Sequence, residues 1–327
     1  MIIGITYDLR EDYLSMGFSE EDAAEFDTIG TIEGIENALQ NLGHQTERIG
    51  HLRLLMEALM AGRKWDMVFN ICEGFYGIGR EAQVPALLDA FCIPYVFSNP
   101  LVLSLTLDKG MTKRIIRDAG IPTADFTVIK NLMEIAGVTL PYPIFVKPVA
   151  EGTGKGISGE SIIRTPEALQ ARCLYLLKRF HQPVLVETYL NGREFTVGIT
   201  GTGSEARITG VMEVLLTDKA EQGVYSYTNK EEWRERCRYE IATGEVADAC
   251  EKVALASWNA LHCEDGGRID LRCDDKGIPN FIEVNPLAGM NPVYSDLPML
   301  SRMNGIPYDE LMKRIIDSAI KKTVLHE

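Results

Sequence analysis

The sequence predicts an α/β protein: an N-terminal parallel sheet clad by helices, followed by mixed α+β structure. Three observations carry that expectation. Strand and helix signals alternate over the first hundred residues, the order that gives parallel sheets. From Thr127 onward strands and helices are mixed, and the chain is strand-rich after Asn191-Gly192. A hairpin of alternating polarity, RIDLRCDDKGIPNFIEVNP (268–286), lies near the C-terminus.

In order, IIGITYD is a strand, TIGTIEGIENALQNLG (28–43) has helical spacing, and WDMVFNIC (65–72) is a strand. REAQVPALLDAF (80–91) is a helix and IPYVFS (93–98) a short strand. Residues 104–120 form a helix that stops at Gly120 before Ile121-Pro122. The strand PIFVKP (143–148), a glycine-rich stretch and the strand SIIR (161–164) follow, then a helix with Thr165 as cap and Pro166 in its first turn. VLVETYL (184–190) is a strand, Gly244 to Leu261 is helical, and a last helix begins at Tyr308. Domain limits are expected near 103 and 190, dividing the chain into 1–103, 104–190 and 191–327.

The chain has 327 residues, 46% hydrophobic and 24% charged, with a net charge of −14. That fits a globular protein of more than one domain and argues against a broad nucleic-acid or anionic-membrane surface. The N-terminus reads as a buried strand without a basic leader, and no apolar run is long enough to cross a bilayer. Seven cysteines with no C-x-x-C pair point to reduced thiols in a cytoplasmic enzyme.

Side chains alternate faces along a strand. With the hairpin turn near Lys276 and Gly277, Asp270 faces Glu283 and Arg268 faces Asn285, with Phe281 on the same face as Glu283. Like charges opposed at ~5 Å with an effective dielectric of ~20 repel by about 3 kcal/mol, enough to call for a cation. Asp270, Glu283 and Asn285 offer only oxygen, which suits Mg²⁺ or Mn²⁺. A solvated hairpin face fits the same pattern.

PIFVKPVAEGTGKGIS (143–158) delivers Lys147 from a strand and then sets Gly152, Gly154 and Gly156 between Thr153 and Lys155. Glycines let backbone N–H groups approach phosphate oxygens and a lysine adds a point charge. Lys155 is followed by glycine and no helix comes next, which excludes a Walker loop and a dinucleotide fingerprint. A mobile hairpin over a phosphate chain and an ordinary flexible hairpin both remain open. Lys109 stands near a helix start. Glu187 ends one strand and Glu194 lies on the next, placed to serve an adenine and a ribose or to face solvent.

Taken in this order the motifs resemble the ATP-grasp ligases, most closely the D-alanine–D-alanine ligase family, continuously from about Val68 to Lys313. The resemblance implies an ATP-grasp fold, ATP with two divalent ions, Mg²⁺ or Mn²⁺, and a homodimer. It implies Lys109 and Lys147 on phosphates, and Glu151-Gly152-Thr153 at the lid tip. Glu187 and the Leu190 backbone would line the adenine site, with Glu194 on ribose. Lys230 would close over the reacting centre, and Asp270, Glu283 and Asn285 would hold metal. Arg268 and the Gly289 amide would stabilise an oxyanion. The implied reaction forms an amide from small carboxylate and amine substrates through an acyl phosphate.

On the substrate side the chain departs from the family. Glu73 stands where the family has histidine, Ile78 replaces an acid, and Glu231 replaces an aromatic. Asp27 and Thr28 only loosely echo the acid-and-serine motif. Tyr294, Ser295 and Asp296 occupy the place of a serine set against the second substrate's carboxylate. Three functions are therefore weighed: a small-molecule ligase, a ligase charging a carrier protein or larger amine, and an ATP-binding regulatory module without turnover.

Overall fold

The computed structural model describes residues 1–324. Three sheets carry the chain. The first is parallel, with β1 (Ile2–Tyr7) between β2 (Gln45–Gly50) and β3 (Met67–Ile71). Helix Ile29–Asn41 packs on it, its apolar stripe of Ile32, Ile35, Ala38 and Leu39 fully buried against Ile3, Ile5 and Phe69. The period of that stripe is the helical one.

The second sheet is antiparallel, ordered β4 (Phe126–Ile129), β7 (Val184–Thr188), β5 (Ile144–Pro148), β6 (Ile162–Ile163). Helix Pro166–Phe180 covers it, and Thr165 caps that helix by accepting the Ala168 N–H at 3.3 Å. The third sheet joins β8 (Glu194–Thr200), β9 (Arg207–Leu216), β10 (Cys237–Ile241), β11 (Gly266–Cys273) and β12 (Pro279–Asn285) in the order β10-β9-β8-β11-β12. Helix Glu245–Ala260 buries Cys250, Ala254 and Trp258 against its inner face.

Several sequence expectations change. IPYVFS forms only a single bridge, Val68 to Tyr95, rather than a strand, and the third parallel strand is QTERIG, which its polarity had hidden. The helix expected over 104–120 is two, Pro100–Leu107 and Lys109–Asp118, broken where Asp108 turns extended and caps the second through the Met111 N–H. That break sets Lys109 at a helix start.

The hairpin pairs Asp270 with Glu283 and Arg268 with Asn285, as its polarity requires. Between them and the turn the register slips by one, so Leu271 pairs with Phe281. Ile282 is the extra residue. The outer edge of Phe281 is occupied: its N–H donates to Pro122 O at 2.8 Å and its carbonyl accepts Thr123 Oγ1 at 2.9 Å. The bulge re-aims the side chains. Phe281 is fully buried in the core with Ile269 and Leu271, not beside Glu283, and Ile282 turns to the cleft instead.

Candidate active site

The cleft between the second and third sheets is floored by β11 and β12. Thr196 Oγ1 donates to Asp270 Oδ1 at 2.8 Å, and Asn285 Nδ2 donates to Asp270 Oδ2 at 3.2 Å. Among the described residues the Asn285 side-chain carbonyl accepts no hydrogen bond. Burial, reinforced by Glu283 across the ladder and only partly offset by Arg268, pushes Asp270 up to about 6. Burial acts on Glu283 in the same direction, but Lys109, Lys147, Lys230 and Arg268 outweigh it and bring it down to about 2. Among the described residues no three carboxylate, histidine or cysteine side chains form a metal cluster; this hairpin supplies two carboxylates and an amide.

Arg268 lies between two acids, its Nε 3.5 Å from Asp296 Oδ2 and 3.7 Å from Asp270 Oδ2. Those distances are too long for hydrogen bonds, and Nε is a buried donor with no partner among the described residues. Such a donor is costly unless another group satisfies it.

Lys109 Nζ is 3.5 Å from Glu283 Oε2 and donates to Glu151 O at 2.6 Å. Lys147 Nζ lies 3.2 Å from Glu187 Oε1, and Lys113 Nζ lies 2.8 Å from Glu187 Oε2. All three side chains are nearly or wholly buried. Burial opposes ionisation of Glu187, but the two ammonium groups hold it below the ordinary carboxylate range. Glu187 therefore anchors Lys147 as well as walling the cleft. Lys113 was not singled out in the sequence, because one turn of helix from Lys109 it reads as a solubility residue.

Phe145, Tyr189, Leu190, Glu194, Arg272 and Ile282 complete the wall of this pocket. Arg272 lies 5.3 Å from the Tyr189 ring and 3.4 Å from Glu194 Oε2. Over it hangs the glycine-rich segment. Thr153, Gly154 and Gly156 all have positive φ, and a Cβ on Gly154 would sit 2.8 Å from Tyr227 N. Gly152 N–H donates to Glu25 Oε1 at 2.6 Å, so the lid tip rests on the N-terminal segment.

A second cavity of about 460 Å³ adjoins the first. Asp27, Thr28, Glu73, Glu81, Arg268, Gly289, Tyr294, Ser295 and Asp296 line it. Lys109, Glu151, Tyr225, Lys230 and Glu283 line both cavities and form their shared wall. Burial first pushes Asp27 and Glu81 up to about 7, and Glu73 rises by burial and its repulsion from Glu81, Glu25 and Asp27. Ser295 Oγ is taken by the Asn291 N–H at 3.0 Å. Tyr294 OH is 3.4 Å from Thr28 Oγ1, and Asp296 opens helix Asp296–Met303. Glu25, Arg80 and Glu81 are not singled out by the sequence: Arg80 and Glu81 follow Glu73 and Ile78 in the same loop, and Glu25 stands two residues before Asp27 in a separate segment.

A family model described as D-ala D-ala ligase C-terminus matches residues 115–317. D-alanine–D-alanine ligase of Bordetella avium is 31% identical over 291 residues, covering 88% of each chain. The chain belongs to the D-alanine–D-alanine ligase family. It is an ATP-dependent carboxylate–amine ligase of that family. An uncharacterized Sinorhizobium fredii protein, y4sG, is 30% identical, covering 89% of this chain and 87% of its own. A Bacillus anthracis D-alanine–D-alanine ligase, solved with ATP, shares the fold at a TM-score of 0.77 and 24% identity over the whole of both chains. The VanG D-Ala:D-Ser ligase of Enterococcus faecalis does so at 0.74 and 18% identity, covering 97% of this chain and 99% of that one. The expected ATP-grasp fold is thus present. Among the described residues no helix is long and apolar enough to cross a membrane.

Proposed function

We propose that the ligase joins a small acid, an amino acid by class, to an amine other than a second D-alanine, with ATP in the first cavity and both substrates in the second. The observation that carries this reading is the shared wall. Lys109, Lys230 and Glu283 border both cavities, so a γ-phosphate in one and a carboxylate in the other meet there.

In the first step a substrate carboxylate oxygen attacks the γ-phosphorus and ADP leaves, giving an acyl phosphate. Lys109 and Lys147 neutralise the phosphates while the lid, from Glu151 through Gly154, excludes water; positioning and charge do the work. In the second step the amine nitrogen attacks the acyl carbon, loses a proton, and phosphate departs. The Arg268 guanidinium, whose Nε has no hydrogen-bond partner among the described residues, would stabilise with the Gly289 amide the oxyanion that develops. The oxygen donors Asp270, Glu283 and Asn285 fit Mg²⁺ or Mn²⁺, and the pairing of Asp270 opposite Glu283 across the ladder sets two acids where a cation would relieve their repulsion. Such ions would supply charge neutralisation to the phosphates.

On the substrate side, Asp27, Glu73 and Tyr294 would shape the donor's seat, and Asp296 with Ser295 the acceptor's. Glu187, Leu190 and Glu194 would receive the adenosine half of the nucleotide. The cavity's size also accommodates a larger or carrier-borne amine. Domain limits near 103 and 190 are supported by the separation of the strands into three sheets, with the first limit falling inside helix Pro100–Leu107. A cytoplasmic setting is supported by the free cysteines among the described residues. A homodimer is supported by exposed Leu54, Met56, Met60 and Phe91 on the N-terminal layer.

Phosphate release from Mg·ATP across a panel of acids and amines, with mass spectrometry of the product, tests the reading. Amide formation that Arg268→Ala abolishes is expected; tight ATP binding with no turnover on any pair would leave a regulatory module instead.

A further inference from the structure

We infer that Tyr225 is a positioning residue that holds the Lys230 ammonium at the junction of the two cavities, an inference that rests on placing Lys230 at the reacting centre. Lys230 belongs to the short helix Tyr227–Glu231, capped by Ser226, and its Nζ lies 4.7 Å from the centroid of the Tyr225 ring. Among the described residues Nζ makes no hydrogen bond and no ion pair, although Asp270 and Glu283 both feel its charge. The ring is therefore what fixes it.

An ammonium over an aromatic face is attracted by the ring quadrupole, most strongly where water is excluded. The ring is itself fixed: Tyr225 OH and Tyr239 OH are 2.8 Å apart, and Tyr239 lies on β10. Asn229 donates to Val224 O at 2.8 Å and to Glu221 O at 3.0 Å, closing the turn that brings residues 225 and 230 together. A lysine stem has several rotamers, and two carboxylates stand close by. Without the ring, Lys230 would turn onto Glu283 or Asp270 and be neutralised there. With it, the ammonium stays directed at a γ-phosphate and away from the floor.

This makes the preference for ATP over ADP the quantity to measure, because it needs no knowledge of the amino-acid substrates. Titration calorimetry of Mg·ATP and Mg·ADP is run on the full chain and its variants. Tyr225→Phe keeps the ring and should hold the preference within about threefold, whereas Tyr225→Leu should reduce it about tenfold. Tyr239→Phe breaks the same hydroxyl contact and leaves both rings, so it should match Tyr225→Phe, and Tyr225→Met, which also lacks the ring, serves if the leucine variant does not fold. In a Lys230→Ala background, Tyr225→Leu should change nothing further. Equal weakening of ATP and ADP, or an undiminished effect in that background, overturns the inference by assigning Tyr225 a purely structural role. Should Lys230→Ala alone leave the preference intact, it is the placement of Lys230 that fails.

Discussion

Glu25 Oε1 lies 3.2 Å from Lys155 Nζ, and each side chain is less than a tenth exposed. The same carboxylate accepts the Gly152 N–H and, through Oε2, meets Arg80 Nη2 at 3.1 Å. One glutamate of the N-terminal segment thus ties down both the tip and the stem of the lid. Glu25→Gln retains an acceptor for Gly152 but removes the charge shared by two buried cations. Breaking a buried pair on one side costs about 3 kcal/mol or more, here lessened because Lys155 keeps Glu151 at 2.7 Å. A melting temperature lower by several degrees and a KM for ATP raised about tenfold are expected; an unchanged KM would show that the lid closes without this tie.

Lys113 presents a second case of support from behind. It does not line the nucleotide pocket, yet it shares Glu187 with Lys147. Lys113→Met leaves that glutamate with one partner and draws Lys147 toward it. The variant should bind Mg·ATP more weakly while its affinity for the acid substrate is unaffected, as separate titrations of the two ligands would reveal. Weakening of both alike would point to general loosening of the second sheet.

The contrast between these residues shows what the sequence discloses. Period-two polarity in the hairpin was enough to place Asp270 opposite Glu283, because a one-residue slip would have turned a row of charges into the core. The bulge at Ile282 was not legible, since it is imposed by Pro122 and Thr123, far off in the chain. Lys109 and Lys147 were legible from the strand and glycine context around them. Lys113, Glu25 and Arg80 were not, because ion pairs across elements leave no periodic trace. QTERIG escaped notice because β2 edges its sheet, paired only with β1, and tolerates polar side chains on its outer face.

Stability should respond to pH through the acids of the second cavity. Asp27, beside Asp8 and Thr31, and Glu81, beside Arg80, Glu25 and Lys109, both titrate near 7 in the folded state, raised first by burial. Unfolded carboxylates titrate near ~4. The folded chain therefore binds more protons between those values, and its stability falls as pH rises from about 4 to about 7. Asp27→Asn and Glu81→Gln remove that penalty: each should raise the melting temperature at pH 8 and have little effect at pH 4. Melts across this range check it, and equal shifts at both ends would assign the effect to packing.

Asp296 bears on the choice of acceptor. Its carboxylate stands 3.5 Å from Arg268 Nε, at the first turn of its helix and at the wall of the substrate cavity. An acceptor carrying its own carboxylate there would meet a like charge; at ~5 Å and an effective dielectric of ~20 that amounts to about 3 kcal/mol before screening. A neutral or cationic acceptor meets no such barrier. Asp296→Ser removes the repulsion and frees Arg268, while the helix loses a favourable first-turn anion worth about 0.3–1 kcal/mol. With the donor that the phosphate-release screen identifies, D-alanine and D-alaninamide can be made to compete as acceptors and their products weighed by mass spectrometry. The ratio should shift toward D-alanine by about tenfold or more in the serine variant. If the ratio is the same in both enzymes, Asp296 does not face the acceptor, and its pairing with Arg268 is structural only.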